Sequence, residues 1–372
     1  MRYFILTGEI SGDLHAAALV NELRTTDPDC EFMFTGGQHL TRACGTKPVV
    51  SIQNMSFMGF IEVIRHAGQI LKNFKRIRSE ILKFNPHLLI LVDYPGFNLR
   101  MARWAKTHSF KVAYYIAPSV WAWHQSRITQ LKQYTNRLYV ILPFEKLFFK
   151  ERGLEVEYAG HPLAERIKRQ FMEQPLSILK NDAVSHKPIV AVFPGSRAQE
   201  LRRILPQCLH LPAEFPDFQF VVSKSPLLPE TLYKEALKKG FKVIENESYA
   251  LLRSSVAGII KSGTSTLEAA LWKLPQMVIY KISPWSYLIA KCLIRLQHIS
   301  LVNIILNKPL VVELIQKNCN KTQISQELKK LLFDAAFRDH IIRGYEDLDK
   351  LLLNEGVSRR IAESMTQLAA HE

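Results

Sequence analysis

Cysteine is scarce in this chain of 372 residues: there are five, and none stands in a Cys-x-x-Cys pair. An odd number at irregular spacings excludes a disulfide framework and a zinc ribbon and fits a reducing compartment. Glycine (16) and proline (18) are too few for a collagen-like or low-complexity chain. No stretch of ~20 residues is both apolar and free of charge, which argues against a bilayer-spanning helix. The opening apolar run, Tyr3 to Leu6, is too short for the core of a signal peptide. Acidic residues are in deficit, 34 against 49 Lys and Arg, for a net charge of +15. Such a protein is expected to be cytoplasmic, soluble or peripheral. Its basic surface, beyond what is merely solvated, suits nucleic acid, an acidic membrane or phosphorylated substrates.

What is present is an ordinary core, 47% hydrophobic and 22% charged, in a chain long enough for two domains. Short apolar runs alternate with amphipathic stretches. Strands are predicted at Tyr3–Leu6, Glu31–Phe34, His87–Val92, Lys111–Ile116 and Arg137–Ile141, with helices at Gly12–Arg24, Ile64–Leu82 and Phe97–Lys106. The rhythm fades over Arg166–Lys187, read as a linker. It restarts with strands at Ile189–Phe193, Gln219–Val222, Phe241–Ile244, Val256–Ile260 and Gln276–Tyr280, and helices at Ala198–His210, Leu228–Lys239 and Ser265–Lys273. From Lys321 the chain reads as helical. This is the pattern of an α/β protein with two parallel-sheet halves, whose ligands should sit at the carboxyl ends of strands.

The distinctive residues fall at those ends. Gly8-Glu9-Ile10-Ser11-Gly12-Asp13 follows the first strand. Its glycines permit close backbone approach, Ser11 or Asp13 could cap the next helix, and its carboxylates favour sugar hydroxyls over phosphate. Asp93 ends the most apolar strand of the first half; partial desolvation there raises a carboxyl pKa and makes a usable general base, the alternative being a helix cap. Ser119, Trp121, Trp123 and His124 follow another strand, as a ligand wall or as packing, and His161 closes the first half. In the second half, Gly195-Ser196-Arg197, with Glu200 three residues on, joins a free backbone, a helix start and a guanidinium, a combination that binds phosphate or diphosphate. Ser262-Gly263-Thr264-Ser265-Thr266 opens a second helix, and Glu268 lies a turn further on, placed to accept from a ribose diol. Together these read as a nucleotide diphosphate site. Lys72, Lys75, Arg76, Arg78 and Lys83 share one predicted helix, and Pro284–Arg295, with Trp285, mixes aromatics and cations; both suit a membrane interface or an acyl groove.

The ordered set GEISGD, MGFIEV (Met58–Val63), DYPGFN, APSVWAW, LPFEK, GHPL, FPGSR and SGTSTLEAAL, spread over residues 5 to about 316, resembles the lipid-A-disaccharide synthase family. The resemblance implies a GT-B fold: two facing Rossmann-like domains, 1–170 and 188–340, with a cleft between them and helices from 341–372 returning to the first. It implies an inverting transfer from UDP-2,3-diacylglucosamine to the 6-hydroxyl of 2,3-diacylglucosamine 1-phosphate (lipid X), giving a β-1,6 disaccharide 1-phosphate and UDP. It further implies no metal or other cofactor, and a peripheral position on the inner face of the inner membrane; a homodimer is left open. Carried over by position, Asp93 is the base and Arg197 the diphosphate ligand. Gly195, Ser196 and Ser262–Thr266 line the phosphates, Glu268 meets the ribose, and Asn303, Glu313 and Gln316 complete the donor site. Glu9, Ser11, Gly12, Asp13, Ser119, Trp121 and His161 are expected on the acceptor sugar, and Met58, Phe60, Ile61 and Val63 near acyl chains. Val302 and Val312 stand where the family has proline.

Two other functions fit parts of the chain. A UDP-sugar 2-epimerase shares the two-half architecture but needs no lipid groove. A nucleic-acid binder would use the basic charge, yet no nucleic-acid motif is present, and two anion loops fit a mononucleotide better than a polymer.

Overall fold

The computed structural model describes residues 1–55, 66–122, 125–173, 187–226, 228–284, 287–288 and 296–370. The chain forms two compact units: Met1–Glu165 with Asn354–Glu372, and Arg166–Leu353.

In the first unit six parallel strands, β1 (Arg2–Leu6), β2 (Glu31–Thr35), β3 (Leu88–Val92), β4 (Val112–Tyr115), β5 (Arg137–Val140) and β6 (Glu157–Tyr158), run in the order β2-β1-β3-β4-β5-β6. β3 is buried along its whole length, as its uninterrupted Leu-Leu-Ile-Leu-Val requires of a strand covered on both faces. Alternate residues face opposite cores. Tyr3, Ile5, Leu88 and Ile90 pack with the helices Ile10–Thr26 and Val357–Ala370. Phe4, Leu6, Leu89 and Leu91 pack with Ala67–Phe84 and Pro95–Thr107. The terminal helix inserts Val357, Ile361 and Met365, spaced one turn apart on one face.

The second unit repeats the plan. β7 (Ile189–Phe193), β8 (Gln219–Lys224), β9 (Lys242–Glu245), β10 (Ser255–Lys261), β11 (Gln276–Tyr280) and β12 (Glu313–Ile315) run β12-β11-β10-β7-β8-β9. Both orders reverse direction beside the first strand of the unit: between β1 and β3, and between β7 and β10. Loops leaving two such neighbours part to opposite sides, which opens a crevice at the strand ends.

Three expectations are corrected. The linker does not begin at Arg166, because Pro162–Glu173 is a helix. The predicted helix 228–239 is a 3-10 turn, Glu230–Tyr233, followed by the short helix Lys234–Lys238. The return to the first unit starts at Asn354 rather than at 341. The helix Ala335–Leu352 stays with the second unit because Tyr345 donates to the Leu274 carbonyl at 3.1 Å and Lys273 pairs with Asp349.

Candidate active site

In the first unit the switch point lies between the loops after β1 and β3. Leu6 is in register with Leu91, so Gly8-Glu9 and Asp93-Tyr94 emerge side by side. A Cβ on Gly8 would lie 2.5 Å from the Tyr94 ring, so only glycine fits there. Asp93 and Tyr94 are both left-handed, at φ 48° and 49°, an uncommon and costly conformation for two successive non-glycine residues. It is held from three directions. Tyr114 from β4 and Asn98 each donate to the Asp93 carbonyl at 2.7 Å, and Tyr94 donates to the Met55 carbonyl at 2.6 Å. Asn98 Nδ2 also reaches the Val92 carbonyl at 3.1 Å. The Asp93 side chain makes no helix cap; the helix begins behind Tyr94 without one. Burial pushes the Asp93 carboxyl up to about 6, against the backbone hydrogen bond at Tyr94, which lowers it. This is a carboxylate poised to accept a proton near neutrality.

The other residues predicted for the first unit divide. Glu9 is the extended residue before the helix Ile10–Thr26, and Ser11 lies half-buried in its first turn. Asp13 is committed elsewhere: its carboxylate accepts from the amides of Gly37 (2.6 Å), His39 (3.0 Å) and Leu40 (3.4 Å) and so caps the helix Gln38–Cys44. It is a structural cap, not a sugar ligand. Gly12 lets its own helix, Ile10–Thr26, lie close to the end of β1, since a Cβ there would lie 2.3 Å from the Thr7 hydroxyl. His161 is buried and accepts from the Leu163 amide at 3.2 Å, at the start of its own helix. Trp121 donates to the buried carboxylate of Glu145 at 2.9 Å, which also accepts from the Leu142 and Ile141 amides. Burial raises the Glu145 carboxyl to about 7. Ser119 is exposed. Met58, Phe60, Ile61, Val63, Trp123, His124 and Trp285 lie outside the described residues.

In the second unit Phe193 is in register with Ile260, which sets the Gly195-Ser196-Arg197 loop beside Lys261-Ser262-Gly263. The two helices that follow, Ala198–Cys208 and Thr264–Leu271, open behind Arg197 and Gly263 with no side-chain cap. They share this with other helices, such as Ile10–Thr26 and Ala67–Phe84; what sets these two apart is that they open side by side at the switch point. Uncapped first-turn amides side by side at a switch point form an anion cradle. Gly195, at φ 108°, passes over Glu200: a Cβ there would lie 2.4 Å from its carboxylate. Glu200 pairs with Lys261 at 2.8 Å and with Arg197 at 3.8 Å. It therefore tethers cations and is corrected from a ligand of the diphosphate, which its charge would repel. Ser196, Arg197, Gly263 and Thr264 are exposed and Ser265 half-buried. The hydroxyls of Ser262 and Thr266 are internally bonded, to the carbonyls of Ile299 (2.7 Å) and Gly263 (2.8 Å).

Glu268 accepts from Tyr249 at 2.8 Å and sits 3.9 Å from Arg166. Burial raises its carboxyl, while the Tyr249 hydrogen bond and Arg166 oppose the rise. Asn303 and Glu313 are corrected from ligands to scaffold. Asn303 bonds both ways with Val311 and donates to Glu313 at 2.9 Å, and Glu313 accepts from the Ile299 and Ser300 amides. Val302 is the second residue of the helix Leu301–Leu306, where proline and valine both fit. Gln316 accepts from the Ile282 amide at 3.0 Å. The sequence motifs contain Asn98 and Lys261 without marking their roles, and sequence reasoning missed Tyr114, Tyr249 and Arg166. The signal for Lys261 was present: it leaves the strand that the second anion loop follows.

Two Rossmann-ordered parallel sheets, each with a switch point at its strand ends, are the architecture of the GT-B class of sugar-nucleotide enzymes. The family model of lipid-A-disaccharide synthetase matches residues 3–365, and the chain belongs to that family. It is 36% identical to the lipid-A-disaccharide synthase of Geobacter sulfurreducens over 97% of this chain and 95% of that protein. Its identity to the synthase of Nitrosococcus oceani is also 36%, over 96% and 94%. The chain is thus a glycosyltransferase of lipid A disaccharide synthesis. Among solved structures it superposes on UDP-GlcNAc 2-epimerase from Neisseria meningitidis bound to UDP-GlcNAc, with a TM-score of 0.68 over 99% of this chain and 100% of that one. At 12% identity this is a likeness of fold, and the epimerase alternative goes no further. No helix among the described residues is long and apolar enough to cross a membrane.

Proposed function

We propose that the chain joins UDP-2,3-diacylglucosamine to 2,3-diacylglucosamine 1-phosphate with inversion. In this reading Asp93 takes the proton of the acceptor 6-hydroxyl. That oxygen attacks the anomeric carbon opposite the diphosphate, the bond from that carbon to the diphosphate oxygen breaks, and UDP departs. Arg197, Lys261 and the amides of the two uncapped helices receive the negative charge that grows on the leaving group, so the step needs no metal. One oxygen of Glu268 accepts from the ribose, while Tyr249 and Arg166 hold the other. The observation that carries the reading is the pair of uncapped helix starts flanking Arg197 and Lys261.

Both substrates carry acyl chains and phosphate, which suits an anionic membrane surface. The helix Ala67–Phe84 supports this: Leu71 and Leu82, 62% and 50% exposed, share its solvent side with Lys72, Lys75, Arg76 and Lys83. Incubation with both substrates, followed by mass spectrometry of the lipid, should show the disaccharide 1-phosphate in amounts equal to the UDP released. UDP released without disaccharide, or a new UDP-sugar formed without acceptor, contradicts the reading.

A further inference from the structure

A cavity of about 690 Å³ opens on the second unit, with Gln316 among its lining residues. Arg202 and Arg203, from the second turn of the helix Ala198–Cys208, stand at its rim with Lys281 and Lys317, which follow β11 and β12. Tyr287 and Leu288 line it with apolar surface, Leu288 being 56% exposed. Arg203 bonds the Gln199 carbonyl and Lys281 the Cys319 carbonyl; among the described residues none of the four cations meets a carboxylate, and no acidic side chain lines the cavity. Uncompensated positive charge around an apolar hollow complements a ligand that is anionic at one end and greasy at the other. A polyanion such as nucleic acid would use the rim but not the hollow.

We propose that this cavity seats the headgroup phosphate and first chain carbons of an anionic membrane phospholipid, with Arg202 and Lys317 as its principal cations. The inference rests on the membrane-surface reading above and locates one point of contact in the second unit.

The test compares the full-length wild type with Arg202→Gln/Lys317→Gln and with the charge-keeping Arg202→Lys/Lys317→Arg. Both positions are exposed, so an unchanged melting temperature verifies the fold. Calorimetry with dihexanoyl-phosphatidylglycerol should show binding at least tenfold tighter than with dihexanoyl-phosphatidylcholine or inorganic phosphate. The Gln pair should lose that preference and the charge-keeping pair should retain it. Sedimentation with phosphatidylglycerol vesicles separates the two levels. A wild type that pellets while the Gln pair binds the short-chain lipid as tightly as wild type overturns the cavity assignment alone. A wild type that fails to pellet overturns the membrane reading and this inference with it. Inorganic phosphate binding as tightly as the short-chain lipid also overturns the assignment, because the apolar hollow then contributes nothing.

Discussion

Lys261 holds its ammonium 2.8 Å from the carboxylate of Glu200, whose other neighbour is Arg197 at 3.8 Å. The carboxylate lies directly under the backbone of Gly195, and two cations answer one acid. Removing the lysine leaves a largely buried negative charge beneath the loop meant for a diphosphate. Lys261→Ala should therefore weaken UDP binding by at least tenfold in calorimetry, and adding Glu200→Gln should restore part of the loss. Unchanged affinity in the single variant would separate this pair from the nucleotide.

Asp93 gives the pH dependence. Its carboxyl is raised to about 6 by burial, and in the proposed mechanism the ionised form acts as the base. The acid limb of kcat/KM should then fall near pH 6, and a limb near pH 4 would contradict it. The same shift predicts a stability effect. A carboxyl whose folded-state pKa is raised costs stability wherever the unfolded chain is ionised. That cost is complete above pH 6 and fades toward the ordinary carboxylate value of ~3.9. Asp93→Asn should abolish transfer, leave UDP affinity unchanged, and raise stability at pH 8 by on the order of 1–3 kcal/mol, with the gain gone by about pH 4.

Tyr114 lies in β4, remote in sequence, yet donates to the Asp93 carbonyl at 2.7 Å. Tyr114→Phe removes one of two donors holding a strained peptide. The expected loss is ~1 kcal/mol of positioning, seen as a several-fold fall in kcat with KM and UDP affinity little changed. A fall in UDP affinity instead would show that the variant disturbs more than the base.

Asp13 separates a cap from a ligand. Asp13→Ala strips three amides of their acceptor and should lower stability by ~1–2 kcal/mol. The folded fraction should keep its KM for the acceptor. A raised acceptor KM at unchanged stability would return Asp13 to the sugar site.

Much of this was legible in the chain. Leu88–Val92 reads as a central strand because nothing polar interrupts it, and the position of Asp93 at its end already points to a desolvated carboxyl. Short or half-polar elements were not legible: β6 has two residues and β12 three, too few for a period to show. The linker boundary failed because the second half of the helix Pro162–Glu173 is polar and reads as continuous with the polar, proline-containing stretch that follows. Within the site, sequence identifies chemistry but not commitment. Asp13, Asn303 and Glu313 carry the right groups for a ligand, and only the fold reveals that backbone amides and each other already hold them. Tyr114 and Tyr249 were invisible for the converse reason: their partners lie 21 and 19 residues away in sequence, and no local motif marks them.

The most direct test of the nucleotide assignment is a UDP titration of wild type beside Arg197→Ala. A guanidinium that holds the diphosphate predicts saturable binding to wild type and at least a tenfold weaker constant for the variant, with the fold intact by circular dichroism. Equal constants for the two proteins would contradict the placement of the leaving group at the switch point of the second unit.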